Sequence, residues 1–362
     1  MSEHSVKETQ WYLFKRKFSS HKLAVASLWI LLFILVTCVV FPEFFAPYSP
    51  SRVFENNNLK PTRMRFFDSE GKFHFRPFVY ARQQKFDETT WQRVTFEDVT
   101  DIRKIRFLVR GDEYRILNLI PGDIHFFGVE GDQGVFLFGS DKLGRDFFSR
   151  TIFGLRVSMT IGLAGVAIGT ILGLLLGGIS GLKGGILDAA IQRTIDVILS
   201  IPTIPLWMAF AAAIPRDWSP YKIYFFITII VSLIGWTGLA RVVRGKFFSL
   251  RKEDFVMAAV GFNAPSNAII MRHLIPNFLS YVIVSLTLSI PSMILGETAL
   301  SFLGIGLQPP VVSLGVLINQ AQNVQDIILY PWFLIPGAFV VVIVLLFNFI
   351  GDGLRDAADP YR

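Results

Sequence analysis

Charge is scarce in this chain and cysteine is nearly absent. Asp, Glu, Lys and Arg make up 17% of the 362 residues, and Cys38 is the single cysteine. A soluble domain carries about a quarter charged residues, so an ordinary soluble fold is disfavoured at once. One thiol closes no internal disulfide, and cysteine usage therefore says nothing about the redox compartment. Signatures of chemistry are lacking too. No G-x-x-x-x-G-K-[ST] phosphate loop occurs, the five histidines and the cysteine have no metal-ligand spacing, and no nucleophile elbow is found. The chain reads as a non-enzyme without a cofactor of its own, so any energised work must draw on another protein. A formal net charge of +7 and a pI near 9.5 suggest nucleic acid, yet the basic residues flank apolar blocks and form no domain-wide face. That distribution points to membrane orientation and to no nucleic-acid partner.

What the chain has in quantity is apolar surface: 52% of the residues, with a mean hydropathy of +0.49. These residues gather in long blocks, and a helix needs about 20 of them to cross a bilayer core. Six blocks qualify: Leu23 to Phe41, Val157 to Ile179, Ile186 to Ile214, Ile223 to Ala240, Phe278 to Leu300 and Trp332 to Ile350. Lys15, Arg16, Lys17 and Lys22 precede the first, and Pro42 and Glu43 follow it. It is longer than the apolar core of a signal peptide and lacks a small-x-small cleavage site, which favours an uncleaved span. The loop 241–277 holds Arg241, Arg244, Lys246, Arg251, Lys252 and Arg272 against Glu253 and Asp254, whereas 301–331 holds only Asp326. Positive loops stay inside, so the former faces the cytoplasm and both termini do as well. The expected fold is an all-α polytopic membrane protein with six transmembrane helices.

Between the first two blocks lies a polar segment, Pro42 to Arg156, with strand-like alternation. Arg65 to Phe75 predicts a hairpin with its turn near Glu70-Gly71, and Ile105 to Val109 with Tyr114 to Leu117 predicts another around Gly111-Asp112. The expectation is a small extracytoplasmic β-rich insertion; long external segments cross regardless of their charge. The chain thus divides into 1–41 (N-terminal helix and first span), 42–156 (external segment) and 157–362 (five-helix core with the cytoplasmic loop 241–277).

Several residues stand out within the blocks. Gly162, Gly165, Gly169, Gly173 and Gly177 recur on one helix face, where they admit a second backbone, from a neighbouring helix or a partner subunit. Arg193 and Asp196, three apart near a cytoplasmic end, read as an intrahelical ion pair with snorkelling arginine; a relay is the sharper alternative. Glu297 is the one acidic residue in the fifth block, a functional candidate that also suits orienting the next loop. Pro202, Pro205, Pro291 and Pro336 are expected to interrupt spans.

Glu253 to Gly261 predicts a short cytoplasmic helix, ended by a turn at Asn263, Ala264 and Pro265, because Asn tolerates positive φ. Asp254-Phe255-Val256-Met257-Ala258-Ala259, then Asn263, then Arg272-His273-Leu274-Ile275-Pro276-Asn277 resembles the EAA loop of ABC import permeases. The family's usual Glu is Met257 here and its usual Gly is Asn263. Four further stretches are similar to the C-type permease subunit of dipeptide and oligopeptide importers: Gly139 to Asp146, with Asp141, Gly144, Arg145 and Asp146; Arg193 to Pro202, with Asp196; Leu300 to Pro310, with Gly304 and Gly306; and Gly351 to Pro360, with Asp352, Arg355 and Asp356.

The resemblance implies an ABC importer permease core of the MetI-like type in a bacterial cytoplasmic (inner) membrane. It implies a heterodimer with a second permease, two ATPases that use ATP and Mg, and an external solute-binding protein. It makes Glu253, Asp254, Met257, Ala258, Ala259, Gly261, Asn263, Arg272, His273 and Pro276 the coupling loop that docks into an ATPase cleft. Oligopeptides are the expected cargo, with oligosaccharides, nickel or opines as alternatives; no substrate-binding residue is assigned. A secondary transporter working alone, or a membrane-anchored scaffold, would leave the ordered motif matches unexplained.

Overall fold

A computed structural model describes residues 10–87, 92–117, 119–129, 134–215, 217–265, 268–275 and 278–358. Five helices are long and apolar enough to cross a bilayer: Lys22–Val40, Phe147–Lys183, Pro220–Leu250, Leu279–Phe302 and Pro331–Ala358. A further pair of helices, Gly185–Ser200 and Thr203–Ala212, is apolar and long enough only when taken together and is bent by 89°, the geometry of a broken span or a re-entrant loop, so the described residues hold five or six crossings. The chain forms two compact units, one of residues 1–32, 160–300 and 340–362, the other of 33–159 and 301–339.

Proline explains the bend. Pro202 lacks an N–H and pushes its predecessor out of helical space, and Ile201 is accordingly extended at φ −95° and ψ 130°. The other prolines interrupt nothing. Pro205 lies in the first turn of Thr203–Ala212, where its missing donor has no helical partner to lose. Pro336 opens the helix Ile335–Ala358, and Pro291 is carried inside the continuous helix Leu279–Phe302.

In the first unit the glycine face of the second span meets the helix Pro220–Leu250. A Cβ on Gly177 would sit 2.5 Å from the Ala240 carbonyl oxygen, one on Gly181 2.7 Å from that of Arg244, and one on Gly169 3.5 Å from the Gly235 backbone. Gly173 faces Leu239, Gly165 faces Ser232 and Met293, and Gly162 meets Ile294 of the helix Leu279–Phe302. The expected backbone approach is therefore made by neighbouring helices of this same chain. The last helix closes on the first in the same way, Gly353 lying against Ala24.

The second unit carries two antiparallel sheets. β1 (Arg65–Phe67), β2 (Phe73–Asp87) and β3 (Gln92–Lys104) form one, in that order, and β4 (Arg106–Ile116) and β5 (Ile120–Gly128) the other. The hairpin turning at Gly71, φ +81°, is the predicted one. The second prediction is corrected: its two arms belong to the single strand β4, whose partner is β5. Gly111-Asp112 marks a bulge, not a turn, because the register shifts between Arg110 and Tyr114 and the ring of His125 fills the space a Gly111 side chain would need. His125 itself is buried, with Nδ1 2.6 Å from the Ala46 carbonyl and Nε2 3.0 Å from that of Asp112. Glu43, just past the first span, grips Arg156 bidentately at 2.6 and 2.9 Å.

The glycine contact is directly testable. Gly177→Ala must push backbone apart and is expected to destabilise the detergent-solubilised chain by about 1–3 kcal/mol. Gly245→Ala, which meets nothing within 4 Å, is expected to be neutral or stabilising. Thermal unfolding of the two variants checks the difference.

Candidate functional site

The loop after the fourth span is built around a short helix with two unlike faces. The helix Pro220–Leu250 ends at Arg251, whose N–H donates to the Phe247 carbonyl, and Glu253 N–H still reaches Leu250 O at 3.0 Å. One short step later Asp254–Gly261 begins, with Asp254 in its first turn, where a carboxylate suits the helix dipole. Inward, Val256 is fully buried against Phe247, Ile270, Leu274 and Phe278, and Ala259 packs half-buried on the same cluster. Outward lie Phe255, Met257 and Ala258, and beyond the helix end Phe262 is 88% exposed.

The helix stops because Asn263 turns left-handed at φ 54°. That brings Ala264 N–H back to Ala259 O at 3.1 Å, the long bond of a Schellman ending. Asn thus takes the place glycine holds in most such endings, as anticipated from its tolerance of positive φ. Gly261 is exposed, with nothing within 4 Å of its Cβ direction. A π turn, Ile269–Leu274, follows, burying Ile269, Ile270 and Leu274 and exposing Met271 and Arg272. The side chain of His273, and Pro276 and Asn277 altogether, lie outside the described residues.

The other motif residues are dispersed. Gly139 to Asp146 forms a tight knot in the second unit. Asp141 Oδ1 accepts the N–H groups of Leu143 and Arg145 at 2.9 Å, and its Oδ2 accepts Arg145 Nε at 2.8 Å. Gly144 turns at φ +77°, with the Phe54 carbonyl oxygen occupying the place where a Cβ would stand, so no other residue fits. Asp146 caps the second span's helix, accepting Ser149 N–H at 2.7 Å. Burial pushes its carboxyl up to about 7, with the nearby Asp141 charge adding to the rise and the Ser149 bonds opposing it. Gly304 turns at φ +76° just past the fifth span, and Gly306 is buried in the following loop, whose Leu307 N–H donates to Ser301 Oγ.

In the first unit Glu297 is fully buried on the helix Leu279–Phe302. Asp352 and Arg355 share an exposed face of the last helix, where Asp356 is half-buried. The expected pair of Arg193 with Asp196 is corrected: Asp196 binds Arg241 of the neighbouring helix at 2.5 Å. The i,i+3 spacing allowed the local pair, but a cross-helix arginine reaches the carboxylate instead. Sequence reading missed Asp188, which accepts Arg244 through both oxygens; 56 residues separate the two, so no local spacing signals them. Among the described residues no three His, Cys, Asp or Glu converge as a metal set.

Comparison with known proteins places these features in a family. The model for "Binding-protein-dependent transport system inner membrane component" matches residues 145–361, and that for the N-terminal TM domain of oligopeptide transport permease C matches residues 9–61. The chain is 32% identical to the oligopeptide transport system permease protein of Haemophilus influenzae, covering 97% of this chain and 88% of that one. It is 31% identical to the dipeptide transport system permease protein of Lactococcus lactis, over 95% and 89% of the two chains. Both alignments run through the segment that holds β1 to β5, which falls between the two matched family segments. An inward-facing methionine ABC transporter structure aligns with TM-score 0.43 and 16% identity, over 59% of this chain and 98% of that one.

The Asp146 cap generates a pH prediction. Its folded value stands above the unfolded 3.8, so the folded chain holds more protons than the unfolded one between 3.8 and about 7. Stability contributed by this group is therefore lost as pH rises through that window and is level above it. Asp146→Asn keeps a good cap and has no titration; the wild-type melting temperature should fall relative to this variant between pH 4 and 7, as measured in detergent.

Proposed function

Because the chain belongs to the peptide-type family of binding-protein-dependent inner-membrane permeases of ABC importers, we propose that it conducts oligopeptides inward at the expense of ATP hydrolysed on separate subunits. A solute-binding protein delivers the peptide, a second permease completes the path, and two ATPases holding Mg and ATP drive it. The membrane is the bacterial cytoplasmic (inner) membrane, with both termini and the 241–277 loop inside and the two sheets outside. The names of the Haemophilus and Lactococcus relatives, oligopeptide and dipeptide permeases, support the cargo.

One observation carries the reading: the two-faced helix Asp254–Gly261. Its outer face offers Phe255, Met257 and Ala258, with Phe262 beside them, a small apolar surface suited to a cleft on another protein. Its inner anchor, Val256, is packed on Phe247 and Phe278, at the ends of two long helices. Displacement of the short helix is thereby passed to both. Closure of the ATPases on ATP supplies differential binding energy to two states of the bundle, and hydrolysis resets it. Met257, where the family carries Glu, makes its contact with the ATPase apolar instead of ionic.

The test falls on the outer face. Ala258→Glu places a charge in the docking surface without touching the buried anchor, unlike the half-buried Ala259. The variant is expected to insert normally and to retain at least about tenfold less ATPase on co-purification, the loss typical of a charge buried at an interface. Full ATPase retention and full ATP-driven uptake of a labelled tripeptide would refute the docking role.

A further inference from the structure

Two carboxylates of the helix Gly185–Ser200 face two arginines of the helix Pro220–Leu250. Asp188 and Asp196 are eight residues apart and Arg241 and Arg244 three apart, so each pair of residues shares one face of its helix. Asp188 binds Arg244 at 2.5 and 2.6 Å, and Asp196 binds Arg241 at 2.5 Å, so the two helices run past each other in opposite senses. A third helix enters the same cluster. Ser180, fully buried near the end of the second span's helix, donates to Asp188 Oδ1 at 2.5 Å and accepts Gln192 Nε2 at 3.2 Å.

Arg244 is held from both ends. Its guanidinium is forked onto Asp188, and its backbone lies against Gly181, whose Cβ would stand 2.7 Å from Arg244 O. Arg251 places a further positive charge on Asp188 from the end of the same helix. That helix end is also where Val256 of the 254–261 helix is packed, on Phe247, three residues beyond Arg244. The ionic cluster and the candidate docking helix therefore act on one turn of one helix.

We propose that Asp188 and Arg244, with Asp196 and Arg241 beside them, are positioning residues that make Gly185–Ser200 and the end of Pro220–Leu250 a single lever. Movement imposed on the 254–261 helix then carries Gly185–Ser200 with it, and the hinge is the corner at Ile201-Pro202. This rests on the docking reading above. The guanidinium fork supplies what a lone packing contact does not: it fixes rotation as well as distance, because two parallel bonds define a plane. The more exposed Asp196–Arg241 pair supports the register and is the weaker of the two, its side chains being 52% and 43% exposed.

The test uses the whole importer, reconstituted in liposomes from this chain, its companion permease and the ATPases. In a Cys38→Ser background, nitroxides are attached at Val197→Cys and Phe248→Cys, positions 63% and 43% exposed. Spin–spin distances are measured without nucleotide and with ATP and vanadate. One narrow distance, unchanged between the two conditions, is expected for the otherwise wild-type chain. In Asp188→Asn/Asp196→Asn the distribution should widen about twofold or shift with nucleotide, while hydrolysis stays within about twofold, as for a coupling defect. Asp188→Arg with Arg244→Asp should restore the narrow distance. A wild-type distance that changes with nucleotide, or a double-Asn variant as narrow and invariant as wild type, would overturn the lever while leaving the docking reading intact. Loss of the ATPase from the wild-type complex would overturn both.

Discussion

Close contact between two helix backbones organises the first unit. The second span presents glycine wherever the helix Pro220–Leu250 comes nearest, and at Gly177 and Gly181 the opposing atoms are backbone carbonyls that cannot swing away. In hydrocarbon no water-driven force presses helices together, so dispersion at short range and local polar bonds must do so. The short range has a second effect. Helices this close leave little slack, so a shift of one is felt by the other along its whole contact. The buried Ser180 and the fork of Asp188 on Arg244 occupy the end of this same contact.

The second unit relies on a different device. Its loops are held by carboxylates that collect backbone N–H groups: Asp141 gathers two and an arginine, and Asp146 caps the second span's helix. Glycines with left-handed backbone stand at the corners between them, at positions 139 and 144. Such a knot is polar inside, and beside it the same unit buries an apolar cluster of Phe147, Val312, Leu317, Trp332 and Phe333. The sheets add their own small cluster of Val79, Ile105, Val129 and Val135.

Much of this was legible in the residues. Apolar blocks about 20 residues long mark the spans because a bilayer demands that length of any helix. Asn263 was readable as a helix ending because few side chains accept positive φ. What was not legible is equally physical. Gly111-Asp112 has the composition of a turn, yet a histidine from the partner strand needs the room, and composition does not record who the neighbour is. The Arg193 and Asp196 spacing satisfied a local rule that a cross-helix arginine overrode. Asp188 and Arg244 carry no signal of each other, since their meeting depends on how the helix Gly185–Ser200 folds back. The prolines were seen, but only Pro202 has a neighbour that moves out of helical space.

That corner carries an obligation of its own. Where the chain turns by 89° between Ser200 and Thr203, the last carbonyls of one half-helix and the first N–H groups of the other have no helical partners, and residues 200–205 are all exposed on this chain. Lipid tails offer such groups nothing to bond with. Wherever this corner lies at membrane depth, its free backbone groups require water or another polypeptide beside them.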